Sequence, residues 1–234
     1  MSLALLLMLI ITAALYFLLK DKSERAKRIP FVVIAALMIV LEIFKQVENF
    51  TSESVNIYWL PFHYCSLFFF FFPLAEFTHG RIREYFKAVS FVAALTVSIF
   101  IYIVPQGIMG KATDFMFKEL FHLHSFVFHH LVILYVFLSI ALDSYRYKRG
   151  DFLRIASLFC GYCLIVNPLS HITNTNFCNF LYTIIPPLEY IRVNFGQLAY
   201  SLVFLVGIPL GTASVGYIYG KIRQRNESKK KRLP

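Results

Sequence analysis

Seven apolar runs, separated by short polar connections, dictate what this chain can fold into, because no soluble core could hide them all. They run from Leu3 to Leu19, Ile29 to Phe44, Ile57 to Phe77, Ala88 to Val104, Leu120 to Leu142, Phe152 to Leu169 and Gly196 to Tyr219. Hydrophobic residues make up 58% of the 234 positions, charged residues 15%, and mean hydropathy is +0.64. Soluble domains carry about 25% charge, so the chain reads as a polytopic membrane protein. The expected fold is all-α, a single seven-helix transmembrane domain over residues 1–220 with a basic tail over 221–234. The run Leu3 to Leu19 has its positive flank after it (Lys20, Lys22, Arg25, Lys27, Arg28), the reverse of a cleavable signal peptide, so it counts as the first span. Pro30 falls in the first turn of the second span, where a missing N–H is harmless, and Pro105-Gln106-Gly107 ends the fourth.

Of the 23 Lys and Arg residues, 19 follow the first, third, fifth and seventh runs. Positive residues stay cytoplasmic, which places the N-terminus outside and the C-terminus inside a cell membrane. The net charge of +10 has the same explanation, and nucleic acid is excluded as a partner in favour of membrane lipids. Asn49-Phe50-Thr51 would be a glycosylation sequon only on a lumenal face. Oligomeric state is not legible.

The polar residues inside the apolar runs are unevenly placed. Within Tyr58 to Phe72 (YWLPFHYCSLFFFFF) stand His63 and Cys65, and the fifth run opens as FHLHSFVFHH with His122, His124, His129 and His130. Asn167 and His171 end the sixth run, followed by Asn174 and Asn176. Six of the seven histidines thus share one side of the bilayer, and Glu42 ends the second run on that side. Titratable groups at membrane depth face a protein interior or a wet cavity, so an outward polar pocket is expected. At about 100° per residue His122 and His129 share a helix face, His124 is roughly opposite, and His130 is about 80° away. The same arithmetic puts His63 and Cys65 about 160° apart within a regular helix, so any partner of Cys65 comes from another span.

Three chemistries fit such a pocket. A thiol activated by an imidazole supports acyl transfer or hydrolysis on a lipid. The spacing His124-x4-His129-His130 is too sparse for a membrane di-metal centre, and four cysteines form no zinc pattern, so neither metal nor cofactor is expected. The third chemistry is non-enzymatic, with histidines contacting a small polar ligand for binding or transport. Cys160-Gly-Tyr-Cys163 lies mid-span without a device to activate a thiol and reads as packing, and Phe68 to Phe72 reads as lipid-facing or core filling.

Leu60-Pro61-Phe62-His63-Tyr64-Cys65-Ser66 after a span with Glu42 and Lys45, then His129-His130-Leu131 with Leu134-Tyr135, then Asn174-Thr175-Asn176-Phe177, resemble the YwaF-type integral membrane proteins. The resemblance covers the second to seventh spans. Distant eukaryotic relatives of that family carry out cysteine-dependent acyl transfer on glycerophospholipids. It therefore implies Cys65 as nucleophile with His63 and His129 beside it. The substrate-binding set expected around them is Glu42, His122, His130, Asn167, His171, Asn174 and Asn176.

Overall fold

The computed structural model describes residues 2–104 and 120–230, and the expected stop at Pro105-Gln106-Gly107 lies outside them. The described residues form seven α-helices: α1 Ser2–Leu19, α2 Glu24–Thr51, α3 Phe68–Phe77, α4 Gly80–Ile103, α5 Leu120–Ala141, α6 Asp151–Thr173 and α7 Pro186–Lys230. No strand occurs among them. Five (α2, α4, α5, α6 and α7) are long and apolar enough to cross a membrane, whereas α1 and α3 are shorter apolar helices.

The α4 helix is the hub. Its Val89, Val92, Ala93, Ala94 and Ile101 are almost fully buried, and it packs against α3, α5, α6 and α7. Small residues on α4 let its neighbours approach closely, the usual solution where helices associate without a hydrophobic drive. Aromatic rings fill the remaining space: Phe72 stacks on Tyr135 of α5 at 4.0 Å, and Tyr64 on Phe159 of α6 at 4.8 Å. Phe68, Phe71 and Phe72 are therefore core, while Phe70 stays exposed. Cys163 is buried and Cys160 exposed, with no bond between them.

Three expectations change. The third apolar run is not one helix: residues 57–67 are turns and short 3-10 pieces, and regular helix begins only at Phe68. Pro61 explains this, because its ring excludes α geometry from the residue before it, and Leu60 accordingly sits at φ −62°, ψ 152°. The α2 helix starts five residues before the expected Ile29, at Glu24, where Ser23 Oγ accepts from Ala26 N at 3.4 Å. Pro30 consequently lies inside the helix, past the first turn. Finally, α7 begins at Pro186, kinks at Gly196 (φ 84°, ψ 169°) and continues through much of the basic tail to Lys230. The kink needs glycine because a Cβ strains that backbone. The tail is tied down by Arg223, which pairs with Asp143 and donates to Tyr145 O at 3.1 Å.

Candidate functional site

A cavity of about 590 Å³ opens where the C-terminal part of α2, the 57–67 segment, the end of α4, the start of α5, the 176–188 segment and the middle of α7 meet. Apart from the middle of α7, these pieces lie at the end of the bundle opposite the basic connections. The two irregular segments form the wall because their backbone is capped by side chains of neighbouring helices. Gln46 of α2 donates to Trp59 O at 2.9 Å, and Tyr162 of α6 donates to Phe62 O at 2.6 Å. From α7, Gln197 donates to Phe180 O at 2.8 Å and Tyr200 Oη donates to Asn179 O. Buried backbone groups that leave a helix need such partners, above all at membrane depth.

Of the residues expected from sequence, Cys65, His63, His129, Glu42, His122 and Asn176 line this cavity. Four others are placed elsewhere. His130 turns away and its Nδ1–H donates to Phe126 O at 2.7 Å. Asn167 and His171 sit on α6 away from the cavity, and Asn174 adopts φ 48° as the left-handed cap of that helix. Asn176 spends its side chain on the loop, Oδ1 accepting from Leu181 N at 2.9 Å and Nδ2 donating to Tyr182 O at 3.0 Å.

His129 is 5% exposed, with Nδ1 2.6 Å from Ser125 O. A carbonyl only accepts, so the proton sits on Nδ1 and the neutral ring leaves Nε2 as a bare acceptor. That Nε2 is buried with no partner among the described residues. His63 is arranged in the opposite sense: Nε2 donates to Tyr58 O at 3.0 Å, leaving Nδ1 as acceptor. Glu42, 3% exposed, pairs with Lys45 at 2.8 Å and accepts from Gln46 at 2.7 Å through Oε1, while Oε2 has no partner among the described residues. A buried carboxylate oxygen and a buried imidazole nitrogen in one cavity are acceptors awaiting a donor.

His124 also lines the cavity, with Nε2 buried and unpartnered among the described residues, although helical arithmetic set it opposite His122 and His129. The lining residues Phe121, His122, His124, Ser125, Phe128 and His129 cover an arc of about 160° of α5, so both edges of that arc reach the same wide cavity.

Sequence reasoning passed over Cys178, which lines the cavity from the connection between α6 and α7. Its Sγ accepts from Tyr64 N at 2.9 Å and lies 2.6 Å from Tyr162 Oη. With the tyrosine proton given to Phe62 O, the thiol donates to Oη. Cys178 and Asn179 both have positive φ, 50° and 62°. Side-chain-bearing residues reach that region at a cost of about 1–2 kcal/mol each, and such strain clusters at functional sites. The signal was available in Asn174-Thr175-Asn176-Phe177-Cys178-Asn179, since Asn is the non-glycine residue most at ease with left-handed turns.

The 57–67 segment being irregular, the helical separation of His63 and Cys65 does not apply. The hydrogen bonds recorded for Cys178 go to tyrosine and backbone, not to imidazole. Among the described residues no three His, Cys, Asp or Glu side chains converge in a metal-binding cluster. Neither the curated proteins nor the solved structures contain a match to this chain. One family profile matches almost its whole length, residues 1–219, and with five membrane-crossing helices this makes it a multi-pass helical membrane protein. The chain belongs to the TMEM164 family.

Proposed function

We propose that the cavity holds the ester of a membrane lipid and carries out thiol-dependent acyl transfer or hydrolysis, in a protein of seven spans with its N-terminus outside and C-terminus inside the cell membrane. The observation that carries this reading is the meeting of two thiols, Cys65 and Cys178, with the bare acceptor Nε2 of His129 around one cavity of about 590 Å³. Trp59, Phe100, Phe121, Phe128, Phe204 and Ile208 give it an apolar and aromatic stretch of wall, as an acyl chain requires. The likeness to YwaF-type proteins points the same way.

In this reading a thiolate attacks the ester carbonyl, the C–S bond forms as the C–O bond breaks, and the leaving alkoxide takes up the proton released by the thiol. The acceptor hydroxyl, or water, then gives its proton to His129 Nε2 as it attacks the thioester; the C–S bond breaks, and His129 returns that proton to the departing sulfur, restoring the thiol. Glu42 Oε2 and His63 Nδ1 orient the polar part of the lipid.

The test is lipidomics on membranes expressing wild type, Cys65→Ser, Cys178→Ser and His129→Ala at matched levels, each checked for monodispersity after purification. A change in phospholipid acyl composition seen with wild type and lost with His129→Ala and with one cysteine variant supports acyl chemistry and names the nucleophile. Identical profiles from four folded proteins would sink it and leave non-enzymatic ligand binding or transport through the same cavity.

A further inference from the structure

The opposite end of the bundle holds a second cluster of charge, unconnected to the cavity. Glu76, next to last in α3, is 2% exposed and pairs with Arg28 of α2, Nε to Oε2 at 3.4 Å. Arg28 Nη2 also donates to the Glu76 carbonyl, and Tyr135 Oη of α5 donates to Oε1 at 3.3 Å. From α4, Arg83 and Lys87, one helical turn apart, bring their charges to the same carboxylate. Arg28 alone pairs directly with that carboxylate; among the described residues Arg83 and Lys87 make no ion pair with it. The remaining acidic residue on that stretch of α4, Glu84, is engaged by Lys148 at 2.6 Å. Arg83 Nε is buried and has no hydrogen-bond partner among the described residues.

Partly buried charge without a counter-charge is costly at membrane depth and marks a ligand site. Arg28 is the fifth residue of α2, Lys87 the eighth of α4, and Tyr135 lies six residues before the end of α5. At 1.5 Å per residue the cluster is about 6–10 Å inside the helix ends, close to the boundary where lipid phosphates meet acyl chains. A guanidinium fork is the group best matched to phosphate oxygens.

We infer that Arg28, Arg83 and Lys87 form a binding site for an anionic phosphate, the head group of an acidic phospholipid, held between the ends of α2, α3 and α4. Arg83 supplies the unpaired Nε–H, Lys87 the point charge, and Glu76 keeps Arg28 in place while leaving the cluster a net positive charge for the anion.

The experiment uses the purified full chain in a neutral detergent and native mass spectrometry with phosphatidylglycerol, phosphatidylcholine and inorganic phosphate as probes. Wild type is expected to retain one phosphatidylglycerol in preference to phosphatidylcholine. Each basic residue lost should weaken it about fivefold, so R83Q/K87Q binds more than tenfold more weakly. Because a variant could lose binding by misfolding, Glu76→Gln is the counter-test: it removes the competing charge and should tighten binding. Displacement of the lipid by millimolar inorganic phosphate would identify free phosphate as the source of the same chemistry, whereas no displacement identifies the lipid. Equal binding of the two lipids, or R83Q/K87Q indistinguishable from wild type, would overturn the site.

Discussion

The seat of α7 against the Tyr147 loop can be tested with one methyl group. A Cβ added at Gly220 would stand 2.7 Å from Tyr147 Cδ1 and 2.9 Å from Tyr147 Cβ and Cγ. Ordinary carbon contacts are about 3.5–4.0 Å, so the overlap is about 0.8 Å. Tyr147 Cβ and Cγ are the near end of the side chain, so the ring cannot rotate aside and backbone must move. Such overpacking costs about 1–3 kcal/mol. A Cβ at Gly161 of α6 meets nothing within 4 Å. Both substitutions gain about 1 kcal/mol of helix propensity, so subtracting one variant from the other isolates the clash. At this chain length 1 kcal/mol is about 2–4 °C, which sets the melting temperature of Gly220→Ala about 2–12 °C below that of Gly161→Ala in the same detergent. In Tyr147→Gly, which removes Cβ as well as the ring, the penalty should vanish, a coupling that a double-mutant cycle measures. Equal shifts for the two glycines, or a penalty that survives removal of the whole Tyr147 side chain, would refute the close packing described here.

Two further outcomes follow from particular residues. A Cβ at Gly207, on the cavity wall, meets nothing within 4 Å, so Gly207→Phe should fill the cavity and abolish any lipid turnover or ligand binding while leaving the melting temperature within about 1–2 °C of wild type. Burial pushes the Asp143 carboxyl up, but hydrogen bonds from Arg146 and Arg223 outweigh it and hold the group below the usual aspartate range. A depressed folded-state value means stability present above the ordinary value of about 3.9 and lost as pH falls through the lower one. Unfolding followed from pH 6 to pH 3 should therefore show a smaller acid destabilisation in Asp143→Asn than in wild type.

The apolar runs could be read directly from the sequence because hydropathy over some twenty residues reports burial in either lipid or protein. Residues 57–67 could not. Tyr58, Trp59, Leu60, Phe62 and Tyr64 are as apolar as a span, and hydropathy does not distinguish a helix from an irregular segment whose polar backbone is capped by Gln46 and Tyr162. Of the site, His129 and Glu42 were found by depth alone. His124 was set aside because face arithmetic assumes a narrow contact, whereas the α5 wall is wide. Cys178 depends on pairing with Tyr162, 16 residues before it, and with Tyr64, 114 residues before it, and no local pattern records the second contact.

Four carbonyls on the irregular segments, of Trp59, Phe62, Asn179 and Phe180, are each latched by a side chain from α2, α6 or α7. A helix that shifts by more than a hydrogen bond's tolerance abandons a partly buried carbonyl, at about 1–3 kcal/mol each. The three helices are thereby geared together through the loops, in addition to the direct packing of α6 on α7. A guest large enough to spread the cavity must lift several latches in concert, so occupancy will register as a discrete step in backbone protection at all four positions rather than as a gradual loosening of one.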